Sequence, residues 1–287
     1  MKKRSLVLLA CGSLLPMSAV ADMHGSHEHK SVSMDVINKQ NQALADNTKG
    51  MGFGPQSPRD IDAKSGSNQR VFSTAPAHTE MNLCNIHFHK NAEHKGGEFT
   101  TFAGPGNGKG FMTGYKYSGE LSKAELKPAP EACPSKTGGL SVGDTIELHY
   151  VHTTAQVKPG PTLGACLSES IMNPQLRVEG QVYVLVNDDK ALDFNALTEV
   201  KEVNGYYQAP NIPSNTGTPV AYEGSTTGPS YNEKGSPLQV SWSVRPKVAK
   251  VNIDTVRTWC EDNIFDEDHA HGVRNLVTNP DLLSPIK

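Results

Sequence analysis

The sequence predicts a mainly β protein with a single folded domain. Three observations carry this. From about residue 76 onward, short alternating or β-branched-rich runs recur, and Gly, Pro, Asn or Asp punctuates the gaps. Glycine (26) and proline (19) are plentiful while hydrophobic residues make up only 36%, a balance that suits a loop-rich β protein better than a helical bundle. No internal repeat or long amphipathic helix breaks the pattern. The 287 residues supply ample material for a buried core.

Taken from the N-terminus, residues 1–21 predict a secretory signal peptide. Lys2, Lys3 and Arg4 make its positive end, Leu6 to Leu15 its apolar stretch, and Ala19-Val20-Ala21 a small-residue cleavage site. That apolar run is too short to span a bilayer, so the mature chain is expected to carry no transmembrane segment. Cys11 after "LLA" offers a lipoprotein alternative, which would leave an unusually short apolar stretch. Export to the periplasm, or secretion, is the expectation. The mature chain keeps Cys84, Cys133, Cys166 and Cys260, an even number in an oxidising compartment. One or two disulfides follow, with three pairings open. Residues 22–75 form a polar N-terminal segment in which little offsets the entropy of ordering, although "SVSMDVINKQNQALA" predicts a short helix. His24, His27 and His29 lie in this leader, where weak metal scavenging is the sharpest role on offer. A net charge of -3 with no long basic run beyond the N-terminus argues against nucleic acid as a partner.

Residues 76–287 hold the strand candidates. In order they are "NIHFH", "TIELHYVH", "RVEGQVYVLVN", "TPVAYEG" and "LQVSWSV", and "TVRTWCEDNIF" near the end supplies a short helical turn. Five of the eleven histidines fall in or beside the first two runs: His87, His89, His94, His149 and His152. His78 and the acidic-loop pair His269 and His271 are the others outside the leader. Alternate side chains of a strand share a face. His87 and His89 therefore point one way with Asn85, and Phe88 the other. In "IELHYVH", Glu147, His149 and Val151 share one face, while Leu148, Tyr150 and His152 share its reverse. If the two runs are neighbours, His149 joins His87 and His89 in a three-nitrogen site.

Three neutral imidazoles with an open fourth position are the arrangement of a catalytic zinc. A single H-x-H is weak evidence, because most histidines are hydrogen-bonded core or surface residues. H-x-H followed by E-L-H-x-V-H on a second strand is far more specific.

These residues resemble the α-type carbonic anhydrases. "HFH" at 87–89 and "ELHYVH" at 147–152 match that family's zinc-ligand strands, and Glu93-His94 matches its Glu-His pair. "GSTTGP" at 224–229 and "QVSW" at 239–242 match its Thr-Thr run and the strand that follows. Glu93-His94 stands closer to the H-x-H than in the α pattern, and the Thr-Thr run lacks its preceding leucine. With the cysteine in "LCNIHFHKNAEH", the chain is more similar to the δ class, or an α-like enzyme. The resemblance implies a single domain with a central, largely antiparallel twisted sheet, peripheral short helices and a zinc at the floor of a cleft. It implies Zn2+ on His87, His89 and His149, with Glu147 accepting from one of the ligand rings; Asn85, by its place on the face of His87 and His89, is expected to do similar work. Thr226 would accept a hydrogen bond from zinc-bound hydroxide and pass its own hydrogen to Glu93. The implied reaction is reversible hydration of CO2 to bicarbonate and a proton, in a pocket walled by Val151, Val240, Trp242 and Thr227, with Val182 or Val184 as further candidates. No histidine matches the family's proton-shuttle position. Two other readings cover parts of the sequence: a cupin-type metalloenzyme, from "HFHKNAE" and "LSVGDTIELH", and a non-enzymatic periplasmic zinc-binding protein using the leader and "DEDHAH".

Overall fold

The computed structural model describes residues 30–228 and 231–286. The expected signal peptide, Cys11 and the leader histidines His24, His27 and His29 lie outside these residues, as does Pro229 of the Thr-Thr run. Helix α1 (Met34–Thr48) leads into the short strand β1 (Pro55–Ser57). Strand β2 (Asn82–Lys90) carries the H-x-H run, and the small strands β3 (Thr101–Phe102) and β4 (Tyr115–Lys116) form a separate ribbon. Then come β5 (Thr145–Thr153), β6 (Leu176–Val186), helix α2 (Phe194–Leu197) and the hairpin of β7 (Lys201–Val203) and β8 (Tyr206–Gln208). Strands β9 (Val220–Thr226), β10 (Gln239–Val244) and β11 (Ala249–Asn252) and helix α3 (Ile253–Glu261) follow. Among the described residues no helix is long and apolar enough to cross a membrane.

Seven strands join in one sheet, ordered β1-β9-β10-β6-β5-β2, with β11 also pairing with β6. The sheet is mixed, with antiparallel pairing over most of its length, as expected. The β2–β5, β5–β6 and β9–β10 pairs are antiparallel, whereas β1–β9, β6–β10 and β6–β11 are parallel. The eleven-residue β6 carries two of the parallel pairs: β10 runs along its first half and β11 along its second. The long connection after β6 returns the chain along that edge as β10, and β11 continues in the same direction after a four-residue link, residues 245–248.

Side-chain alternation divides the core between the two faces of this sheet. Phe88, Leu148, Tyr150 and Tyr183 pack with Phe194, Trp259 and Phe265 beneath α2 and α3. Val151, Val178, Val182, Val240, Trp242 and Tyr222 pack on the other face. β2 is irregular between Leu83 and Asn85, leaving Cys84 without a partner in the β5 register. A bulge of this kind puts successive residues on one side. Cys84 thereby joins the second core, next to Asn85, and bonds Cys166; the other disulfide is Cys133–Cys260.

The polar segment expected at residues 22–75 is not separate from the sheet over its described part. β1 pairs with β9 at the end that carries Thr226, and Gln56, Arg59 and Ile61 are fully buried. The polar side chains meet the cost of burial by hydrogen bonding: Arg59 donates to Gln56 Oε1, Ser284 O and Ala63 O. The expected short helix is α1, anchored by Leu44 against Val277 and Leu283.

Candidate metal centre

Neighbouring β2 and β5 set the geometry. Their antiparallel register places His87 directly opposite His149, and His89 opposite Glu147. One ring nitrogen from each of His87, His89 and His149 lies within 4.8 Å of the other two. The remaining ring nitrogens are committed to acceptors. His87 Nδ1 donates to Asn85 Oδ1 at 2.7 Å, His89 Nδ1 to Gly272 O at 3.0 Å, and His149 Nε2 to Glu147 Oε1 at 3.0 Å. A neutral imidazole has one N–H, so these bonds fix the tautomers and leave lone pairs on His87 Nε2, His89 Nε2 and His149 Nδ1.

Those lone pairs face one another. His149 Nδ1 and His87 Nε2 are 3.3 Å apart with no proton left to bridge them. His89 Nε2 is buried without a hydrogen-bond partner. A cation satisfies all three at once. With Zn–N bonds of 2.0–2.1 Å, a tetrahedral site has an N···N edge of about 3.3–3.4 Å, which the His87–His149 separation meets. Burial, then the neighbouring His149 and His89, pushes His87 well below the usual imidazole range, and burial pushes His89 down to about 3. Neutral rings are the form that binds metal.

Glu147 is fully buried and accepts four hydrogen bonds. Glu93 N and His94 N donate to Oε2, and His94 Nδ1 and His149 Nε2 to Oε1. Burial alone would raise this carboxyl, but His94 and His149 hold it well below the usual carboxylate range. His94 is itself held by the Tyr222 hydroxyl at 2.6 Å.

The expected link from Thr226 to Glu93 does not form. Thr226 Oγ1 donates to Thr227 O at 3.1 Å. Glu93 is instead saturated by Arg274, whose backbone N and Nε donate to it at 2.8–3.0 Å and whose Nη2 completes a two-pronged ion pair. Burial would raise the Glu93 carboxyl; Arg274 overrides this and holds it below the usual range. Arg274 Nη1 also donates to Thr227 O at 3.0 Å, and its guanidinium lies 5.4 Å from the centre of the Trp242 ring.

A cavity of about 350 Å³ opens onto the three rings. Val151, Val240, Trp242, Thr226, Thr227 and Asn85 all line it. Val182 and Val184 are buried but lie outside the lining, where Leu163, Leu176 and Val178 appear instead. His271 also lines it, with ring centroids 5.6 Å from His87 and 5.9 Å from His89. Its Nε2 is 2.7 Å from Glu267 Oε2, which raises its pKa. His78 and His152 lie elsewhere. Sequence reasoning missed Gly272, Arg274, Leu163, Leu176 and Val178. Arg274 sits in the irregular stretch "GVRNL", where periodicity carries no signal.

A family model described as delta carbonic anhydrase matches residues 78–255, more than half of the chain. The chain belongs to the delta carbonic anhydrase family. The matched span holds both ligand strands and the Thr-Thr run, whereas Gly272 and Arg274 lie beyond it. Among curated proteins nothing matches the chain. Solved structures similar to this carbonic anhydrase include a hyperthermostable carbonic anhydrase identified from an active hydrothermal vent chimney, at 13% identity, covering 80% of this chain and 87% of that one, with a TM-score of 0.29. The α-carbonic anhydrase of Thermovibrio ammonificans, in complex with sulfanilamide, is 14% identical over 80% of this chain and 85% of that one, TM-score 0.28. The Photobacterium profundum α-carbonic anhydrase is 12% identical over 82% and 93%, TM-score 0.26.

Proposed function

We propose that this carbonic anhydrase hydrates CO2 reversibly to bicarbonate and a proton at a zinc ion held by His87, His89 and His149. The observation that carries the reading is the convergence of three lone pairs with no proton among them. Zinc bound there would supply the Lewis acidity that brings the pKa of water to about 7, the magnitude known for carbonic anhydrases generally.

The chain's own residues do the rest. Asn85, Gly272 O and Glu147 fix the three rings before any ligand arrives, so little reorganisation accompanies binding. With its hydrogen committed to Thr227 O, the Thr226 hydroxyl keeps oxygen lone pairs for the attacking water, restricting the directions in which that oxygen presents itself to carbon. Glu93 acts on this contact through Arg274, whose guanidinium donates to both the Glu93 carboxylate and Thr227 O. Val151, Val178, Val240, Leu176 and Trp242 give apolar CO2 a wall with few polar competitors. The two disulfides suit an oxidising compartment, in keeping with export to the periplasm or beyond.

Stopped-flow CO2 hydration with a pH indicator, on metal-replete protein, tests the proposal. Turnover is expected in the wild type and lost in His149→Ala together with bound zinc. Hydration unchanged by that substitution would remove His149 from the ligand set. Bound iron or manganese with no hydration would favour the cupin reading.

A further inference from the structure

The orientation of one amide decides which nitrogen of His87 carries the proton. Asn85 is buried and its side chain has two partners: Oδ1 accepts from His87 Nδ1 at 2.7 Å, and Nδ2 donates to Gly160 O at 3.1 Å. A carbonyl only accepts, so Gly160 O requires the NH2 end of the amide and turns its oxygen towards His87. The ring then donates from Nδ1 and keeps its lone pair on Nε2. A reversed amide would donate to Nδ1 and send the ring proton to Nε2, the nitrogen 3.3 Å from His149 Nδ1.

The chain around Gly160 is under constraint. Gly160 N donates to Cys84 O at 3.0 Å. Two residues on, Thr162 has φ +57° and ψ 169°, a conformation rare for any L-residue and rarer for a β-branched one. Such a residue persists only where its surroundings over-determine it. Here Thr162 Oγ1 accepts from Gly164 N at 3.2 Å and Thr153 Oγ1 donates to Cys166 O at 2.8 Å. Cys166 ends the 3-10 turn Leu163–Cys166 and is bonded to Cys84. Residues 160–166 are therefore pinned to β2 at both ends, and Thr162 and Leu163, between the pins, line the metal cavity.

We infer that the Cys84–Cys166 disulfide is a positioning element of the metal centre: by holding Gly160 O in place it sets the Asn85 amide, and through that amide the tautomer of His87. This role in metal binding depends on His87 being a zinc ligand, as proposed above. Both sulfurs are buried, which keeps thiols away and makes the bond a fixed staple rather than a switch. Cys133–Cys260 provides an internal comparison. It too closes a long loop, 127 residues against 82, but it lies with Phe88 and Leu148 on the reverse face of the sheet. Loss of either bond weakens the fold, and only loss of Cys84–Cys166 reaches His87.

The test compares full-length wild type with Cys84→Ala/Cys166→Ala and Cys133→Ala/Cys260→Ala, each shown to be folded by near-UV circular dichroism. Cys166→Ser replaces the first variant if that one does not fold. Imidazole 15N spectra of the metal-free proteins report the ring tautomer, the His87 signals being those absent from His87→Gln. Wild type and Cys133→Ala/Cys260→Ala are expected to hold the His87 proton on Nδ1, whereas Cys84→Ala/Cys166→Ala should show it shared with Nε2. The Kd for Zn2+, from competition with a chelator, is expected to rise about 10–100-fold in Cys84→Ala/Cys166→Ala and to stay within about twofold of wild type in the other pair. A wild type that binds no zinc would overturn the ligand reading, while the tautomer comparison still decides the role of the disulfide. An unchanged Nδ1–H tautomer in Cys84→Ala/Cys166→Ala, or an equal loss of zinc affinity in both double variants, would overturn the positioning role.

Discussion

Replacing Arg274 with methionine removes the cation from a buried pair while nearly preserving its volume. Glu93, only 1% exposed, would be left with its carboxylate facing the protein interior. Arg274 makes four hydrogen bonds to Glu93, three of them from its guanidinium and lost on substitution, and a further guanidinium bond to Thr227 O. Breaking a buried pair by removing one partner costs about 3–5 kcal/mol, because the survivor keeps its desolvation penalty. At roughly 2–4 °C per kcal/mol for a chain of this size, the Tm of Arg274→Met should fall by about 6–20 °C. Urea unfolding, monitored by tryptophan fluorescence, gives the free-energy change directly. The double variant Glu93→Gln/Arg274→Met should recover part of the loss, since it also removes the stranded charge. Hydration should fall by roughly 10–100-fold where the variant is folded, because Thr227 loses the contact that positions Thr226. A stability loss below about 1 kcal/mol, or a double variant no more stable than the single, would refute the assignment of Arg274 as Glu93's essential partner.

Three further outcomes follow from the same geometry. Acidification should destabilise the metal-free protein through His152, because the unfolded chain takes up a proton below pH 6.5 that the native ring refuses until about pH 3. Stability is thus present above 6.5 and falls with pH across that window by up to roughly 1.4 kcal/mol per unit from this ring; urea midpoints measured against pH should show a flatter slope in His152→Gln. Reducing either disulfide should cost about 2–5 kcal/mol, given the long loops of 82 and 127 residues that the bonds close, and unfolding with and without reductant measures it. Val151→Tyr should fill the apolar wall beside the ligand rings and lower kcat/KM for CO2 by roughly 100-fold with zinc content unchanged; a variant as active as wild type would place CO2 elsewhere.

Much of the metal centre is legible in the sequence because strand periodicity is a local property. Alternation alone puts His87, His89 and Asn85 on one face, and Glu147, His149 and Val151 on one face of the next run. The adjacency of those runs is a long-range fact, and only the family resemblance supplied it in advance. The same limit hides the parallel pairing of β10 and β11 with β6, which depends on where the long connection after β6 returns. The choice among three disulfide pairings was hidden likewise. The Glu93 expectation failed for a related reason. Its partner comes from residue 274, an irregular segment in which neither spacing nor propensity marks an arginine as buried. Residues 55–61 read as polar filler because composition reports solubility on average, while Gln56 and Arg59 are buried by hydrogen bonds that only the folded chain can provide.

The most direct test of the central claim is an anomalous difference map at the zinc edge, from crystals of protein loaded with one equivalent of Zn2+. The account predicts a peak about 2.0–2.1 Å from each of His87 Nε2, His89 Nε2 and His149 Nδ1, open to the cavity on its fourth side. A peak bound by other side chains, or by only two of these rings, would contradict it.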